Sequence, residues 1–144
     1  MARLDPSTVE KVIVHTSATP PSMDIGVETI SRWHRERGWL AIGYHDVIRR
    51  DGTHEKGRPI HKPGAHTEGY NLNSVGICLV GGVDEMGDPE DNFTEAQFET
   101  LRKLAVSRLR MFGLEPEDLV GHNELAATKC PVFDVEPIRN TLNW

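Results

Sequence analysis

Two histidines and one cysteine carry the chemistry that this sequence suggests most directly. His122 and Cys130 stand in Gly121-His122-Asn123-Glu124-Leu125-Ala126-Ala127-Thr128-Lys129-Cys130-Pro131, and His15 stands far upstream in Val12-Ile13-Val14-His15-Thr16-Ser17. Two imidazoles and a thiolate are a donor set for a catalytic zinc that keeps its fourth tetrahedral position open to water or substrate. Spacing alone does not establish such a site. Seven residues separate His122 from Cys130, wider than the close ligand pairs of structural zinc sites. Two buried histidines and a free core cysteine are the alternative reading, so the surrounding elements must decide.

Each of the three residues would be delivered by the end of an element or by the loop that follows one. Val9 to His15 is short and rich in β-branched residues, which suits a buried strand with His15 at its C-terminal end. Leu119-Val120-Gly121 reads as another short strand, delivering His122. Ser74 to Val80 has the apolar continuity of a central strand. Gly43 to Arg49 reads as a strand with Tyr44, Asp46 and Ile48 on one face and His45, Val47 and Arg49 on the other. Asp51-Gly52 is a hairpin turn whose two centres tolerate positive φ, and the chain returns through His54 to Lys56.

The helical signals are equally local. Asp24 to Arg37 places Val27, Ile30, Trp33 and His34 at spacings of three and four, and Gly38 stops the helix. Thr94-Glu95-Ala96-Gln97 is a capping box with Phe93 and Phe98 as its hydrophobic staple, opening a helix that runs to about Phe112. Asp134 to Asn140 forms a terminal helix with Pro137 in its first turn. Gly57 to Asn73 has no apolar period, and a loop of that length in so small a domain is usually functional. Strands alternating with helices, with one hairpin inserted, predict an α/β fold: a mixed central sheet of about five strands flanked by helices, one domain over 1–144, with the metal site at the strand ends.

Composition narrows the partners. The net charge is −6, and the basic residues are scattered or paired with acids, so no phosphate-tracking patch exists and nucleic acid is not an expected substrate. No apolar run approaches the roughly 18 to 20 residues that cross a bilayer, and Met1 to Val9 has no signal-peptide core. The protein is expected to stay in the cytoplasm until something releases it, and to act as a monomer. Cys78 lies in the apolar run Val75 to Val80 and reads as a small core residue, which leaves Cys130 free for chemistry.

Taken in order, the blocks Val14-His15-Thr16-Ser17-Ala18-Thr19, Trp33-His34, Gly38-Trp39, Gly43-Tyr44-His45, Arg50-Asp51-Gly52-Thr53, Gly57-Arg58, Tyr70-Asn71, Ser74-Val75-Gly76, Val80-Gly81-Gly82, Asn92-Phe93-Thr94 and Cys130-Pro131 span nearly the whole chain. In these the sequence resembles the zinc-dependent N-acetylmuramoyl-L-alanine amidases of phage T7 lysozyme type, relatives of the peptidoglycan recognition proteins. The resemblance implies Zn2+ ligands at His15, His122 and Cys130, an active-site tyrosine at Tyr44 and a substrate-contacting histidine at His66. Where T7 lysozyme carries a lysine two residues before the cysteine, this chain has Thr128, with Lys129 shifted by one. Catalytic recognition proteins resemble this chain in having threonine there, so Thr128 is favoured over Lys129 as the second catalytic group. A cousin family of cytosolic anhydro-muropeptide amidases uses aspartate as third ligand, and Cys130 sets this chain nearer the phage branch.

The implied activity is hydrolysis of the amide between N-acetylmuramic acid and L-alanine in peptidoglycan. With the missing signal sequence, that predicts an endolysin held in the cytoplasm and released to the periplasm at lysis. Two alternatives stand beside it. One is a peptidoglycan-binding module without catalysis, against which the complete ligand trio argues. The other is an added role in inhibiting a phage RNA polymerase, which depends on surface residues that the resemblance does not carry over.

Overall fold

The computed structural model describes residues 4–39 and 41–144. Its sheet consists of β1 (Lys11–Thr16), β2 (Asp46–Ile48), β3 (His54–Lys56), β4 (Ser74–Leu79) and β5 (Leu119–Gly121), in the order β3-β2-β4-β1-β5. The pairs β2·β4, β4·β1 and β1·β5 are parallel, and β2·β3 is antiparallel. The helices are α1 (Val27–Glu36), α2 (Glu95–Met111) and α3 (Glu136–Asn140). The sheet is mixed and five-stranded, as the alternation of patterns predicts. Among the described residues, no helix is long and apolar enough to cross a membrane.

Burial on both faces explains why β1 and β4 read as continuous apolar runs. Val12, Val14, Ile48, Ile77 and Leu79 point to one face and pack with Leu101, Leu104, Ala105 and Leu109 of α2. The period of two sends Val47, Cys78 and Val80 to the opposite face, where Ile25, Ile30 and Ile42 cover them together with Trp33 and Tyr44. His15 follows Val14, and its register partner across the sheet is Cys78, so its side chain belongs to this second face.

The ends of the elements differ from the expected ones for identifiable reasons. Residues 6–8 close a 3-10 turn, with the Val9 amide donating to the Pro6 carbonyl, so β1 starts at Lys11 rather than Val9. α1 starts at Val27 rather than Asp24: Glu55 Oε1 accepts the Val27 N–H at 2.8 Å, and Asp24 instead pairs with Arg49 at 3.2 Å. β2 is shorter than Gly43 to Arg49 because the Gly43 N–H donates to His34 Nδ1 and the Tyr44 carbonyl accepts from Arg58 N–H. Tyr44 therefore precedes the strand. The hairpin turn has only Gly52 at positive φ (88°), with Gly52 N–H bonded to the Arg49 carbonyl and Arg49 N–H to the Thr53 carbonyl. It is a three-residue loop rather than the two-residue turn expected.

α2 is built as its sequence indicates. Thr94 Oγ1 accepts from Gln97 N–H at 3.1 Å, Gln97 Oε1 accepts from Thr94 N–H at 3.0 Å, and the Phe93 and Phe98 rings meet at 6.1 Å. Buried Gln97 also donates to the Ile48 and Val80 carbonyls, fastening the helix start to the sheet. At the other end Arg108 grips Asp46, Nε to Oδ2 at 2.9 Å and Nη2 to Oδ1 at 2.8 Å, while His54 Nε2 meets Oδ1 at 2.7 Å. Burial by itself would raise the Asp46 carboxyl, but the Arg108 and His54 contacts outweigh it and hold the group below its ordinary value.

Two stability outcomes follow from this packing. Leu109 is fully buried under the sheet; Leu109→Ala should lower the unfolding free energy in urea by about 2–5 kcal/mol. Arg108→Ala leaves the Asp46 carboxylate buried without its main partner and should cost about 3–5 kcal/mol near pH 7. Because the folded Asp46 pKa is depressed, the ion pair's contribution is complete above the unfolded value of about 3.9 and is lost as pH falls through the lower folded value. Denaturation curves should therefore show the cost of Arg108→Ala shrinking in acid.

Candidate metal and active site

β1 carries His15 almost to the C-terminal edge of the sheet, where it is 2% exposed. Next to β1, β5 ends at Gly121 and the chain turns at once into a 3-10 turn over His122–Glu124. The loop after that turn returns Cys130 to the same place. The Thr16 N–H donates to Cys130 Sγ at 3.2 Å, so the residue after His15 in β1 also anchors the cysteine. Cys130 Sγ lies 3.8 Å from His15 Nδ1, the His15 and His122 rings are 4.7 Å apart, and one ligand atom from each of the three residues lies within 4.8 Å of the others. Tetrahedral zinc with ordinary bond lengths requires donors roughly 3.4–3.6 Å apart. A small contraction would close the set around one ion.

Protonation favours the same use. Burial, reinforced by His66 and His122, holds His15 well below the ordinary imidazole value, and burial lowers His122 too. Both are therefore neutral and can offer a lone pair. Burial pushes the Cys130 thiol up to about 11, against a smaller downward pull from the Thr16 N–H. A thiolate here needs a cation beside it, and a coordinating metal supplies that charge. The donor types and their separation, with two neutral imidazoles, fit a divalent metal whose charge would draw the proton from Cys130.

His66 reaches the cluster from the long loop after β3. Its Nδ1 lies 2.8 Å from His15 Nε2, at the ring edge opposite Cys130. If His15 Nδ1 keeps its lone pair free toward Cys130, the proton of the neutral ring is on Nε2, where His66 Nδ1 at 2.8 Å and Thr67 Oγ1 at 3.2 Å can accept it. His66, pushed down to about 3 by burial and by His45, His122 and Arg58, is neutral as well and carries its proton on Nε2, facing Ser74 Oγ at 3.4 Å. Ser74 then donates to the Tyr70 carbonyl at 2.7 Å. His66, expected to contact substrate, thus has protein partners for both ring nitrogens. Gly76 leaves it room, since a Cβ there would come within 2.7 Å of the ring.

Several groups in this array escape sequence reasoning. Thr67 is buried with Oγ1 3.2 Å from His15 Nε2, and Asn71 Oδ1 accepts the N–H groups of both His66 and Thr67 at 2.9 and 3.0 Å. The lack of an apolar period in residues 57–73 and the block Tyr70-Asn71 pointed to this loop without giving either residue a role. His34 and His45 stay out of the cluster. His34 accepts the Gly43 N–H, and its pKa is driven down to about 4 by burial and by Arg37 and Arg58. His45 accepts from Gly76 N–H and its Nε2 faces the Lys62 carbonyl at 2.7 Å, a structural role.

Tyr44 stands beside the trio, half-buried, its ring 5.2 Å from that of His15. Burial, with the neighbouring Cys78 and Cys130 sulfurs, raises its hydroxyl well above the usual phenol value, so it remains a hydrogen-bond donor. Thr128 is partly buried, and its Oγ1 accepts the Cys130 N–H at 3.3 Å. That contact leaves the hydroxyl proton available. Lys129 is exposed.

Comparison with known proteins identifies the family. The family model described as N-acetylmuramoyl-L-alanine amidase matches residues 5–133. The endolysin of Enterobacteria phage T3 is 48% identical over 130 residues, covering 90% of this chain and 85% of that protein. The endolysin of Escherichia phage T7 is 47% identical over 129 residues, covering 90% and 84%. Among solved structures, N-acetylmuramoyl-L-alanine amidase LysC from Clostridium intestinale superposes with a TM-score of 0.83 at 28% identity, covering 99% of this chain and 91% of that one. A match over most of the sequence, relatives near half identity and the same fold together place this chain in the N-acetylmuramoyl-L-alanine amidase family.

Proposed function

We propose that this protein is a zinc-dependent endolysin that hydrolyses the amide between the lactyl group of N-acetylmuramic acid and L-alanine, opening the bacterial wall. The observation that carries the proposal is the convergence of His15, His122 and Cys130 beside Tyr44 in a member of an amidase family. The retained trio also argues against a module that only binds peptidoglycan. The whole chain, 1–144, serves as the catalytic domain. We further infer that it works as a monomer, held in the cytoplasm until lysis admits it to the periplasm.

His15 Nδ1, His122 and Cys130 Sγ would hold the ion. Zinc at such a site supplies Lewis acidity toward a carbonyl oxygen and lowers the pKa of a coordinated water to about 7. The protein's own groups do the rest. Tyr44, kept protonated, donates to the oxygen of the scissile carbonyl as negative charge develops there. Thr128, its oxygen occupied by the Cys130 N–H, donates a hydrogen bond from its hydroxyl to the same developing charge. His66 acts through His15, fixing the tautomer that leaves Nδ1 free. The products are a lactyl carboxylate and the free amino group of L-alanine.

Purified peptidoglycan digested with the protein should release stem peptides whose new amino terminus is L-alanine, detectable by mass spectrometry. Tyr44→Phe should slow that release by roughly 100- to 1000-fold with zinc content unchanged. Thr128→Val should cost about 10- to 100-fold, the worth of one hydrogen bond to a charged group, and Lys129→Ala should leave the rate near wild type. Full activity in Tyr44→Phe would remove the tyrosine from the chemistry. Cleavage at another bond would reject the substrate assignment.

A further inference from the structure

His122 stands on a turn that has little to hold it by itself. The 3-10 segment is three residues long, and the N–H groups at its opening find no partner in its own backbone ladder. One is supplied by Glu124, whose Oε2 accepts the Gly121 N–H at 2.6 Å and so folds the turn back onto the end of β5. Glu124 is itself more than one-third exposed, so water competes for its carboxylate.

Arg139 of α3 reaches across this junction. Its Nη1 donates to the Leu119 carbonyl in β5 at 2.8 Å and to the Glu124 oxygens at 3.2 and 3.3 Å, joining the last strand to the turn that presents His122. α3 is well seated for this purpose, with Val135 and Ile138 buried in the main core beside Leu119. Gly121 is enclosed by the same segment: a Cβ there would lie 3.1 Å from both Pro131 Cδ and Val135 Cγ2. The residue after Cys130 and the approach to α3 thus meet at the foot of the His122 turn. Arg139 lies beyond residue 133, where the family match ends.

We propose that Arg139 is a positioning residue of the metal site: by holding the Glu124 carboxylate against the Gly121 N–H, it fixes the turn that aims His122 at His15 and Cys130. The terminal helix is then part of the metal site rather than an addition to the fold. This inference rests on the zinc reading given above. Arg139 is not among the residues that would hold the ion; its effect passes through Glu124 and the backbone of the turn.

The test measures zinc affinity by chelator competition in wild type, Arg139→Ala, Arg139→Lys and Glu124→Gln, with the visible absorption of the Co2+-substituted proteins and the melting temperature with and without zinc. Arg139→Ala should weaken zinc binding about 10- to 100-fold, change the Co2+ bands and shrink the rise in Tm that zinc produces. Glu124→Gln should do the same more mildly, and Arg139→Lys should recover part of the loss. A merely structural arginine would lower the metal-free and zinc-loaded melting temperatures equally, leaving affinity and Co2+ bands at wild type. That result overturns the proposal, and Glu124→Gln decides it in the same way if Arg139→Ala does not fold. Wild-type protein that takes up neither metal would overturn the zinc reading and this inference together. Wild type that binds zinc beside unaltered variants overturns this inference alone.

Discussion

The constraint on which the structure depends is that two neutral imidazoles and a thiol must be held within a few ångströms, mostly out of water, although they come from opposite ends of the chain. The parallel register of β1 with β5 answers it. Val14 pairs with Gly121, so the residues that follow, His15 and His122, emerge side by side at one end of the sheet. The Thr16 N–H then takes the Cys130 sulfur, and a third segment is fixed by the first. Sites at the carboxyl ends of parallel strands are a general outcome of α/β construction, because the strands stop there and the loops diverge.

The two faces of the sheet divide the work. α2 covers one face with an apolar seam and clamps the rim through Gln97 and the Arg108 to Asp46 pair, contacts that govern stability. The other face carries fewer large apolar side chains and takes in the polar array of His15, His66, Thr67 and Ser74. An unsatisfied buried polar group costs about 1–3 kcal/mol, and His66 and Thr67 meet His15 Nε2 while Nδ1 faces Cys130. Burial keeps His15 neutral, and its hydrogen-bond partners bear on which nitrogen could offer a lone pair to a metal.

Much of this was legible in the sequence because it is local. The capping box at Thr94, the stop at Gly38 and the apolar continuity of Ser74 to Leu79 each follow from a few neighbouring residues. The candidate ligands were legible from their types and from the ordered blocks around them. What was not legible is what distant partners impose. Glu55 caps α1 from β3, His34 draws the Gly43 N–H away from the sheet, and His66 is turned toward His15 by contacts 51 residues apart in the chain. Nothing local marks Arg139 within the terminal helix, and its reach to Leu119 and Glu124 exists only once α3 has docked.

The most direct test of the account is to assay the protein on purified peptidoglycan as isolated, after chelation and after return of zinc, while counting zinc per chain. The account predicts about one ion at the His15, His122 and Cys130 site, release of L-alanine-terminated peptides lost on chelation, and recovery with zinc. Undiminished cleavage in fully chelated protein would contradict it, as would a Cys130→Ala variant that keeps both its zinc and its activity.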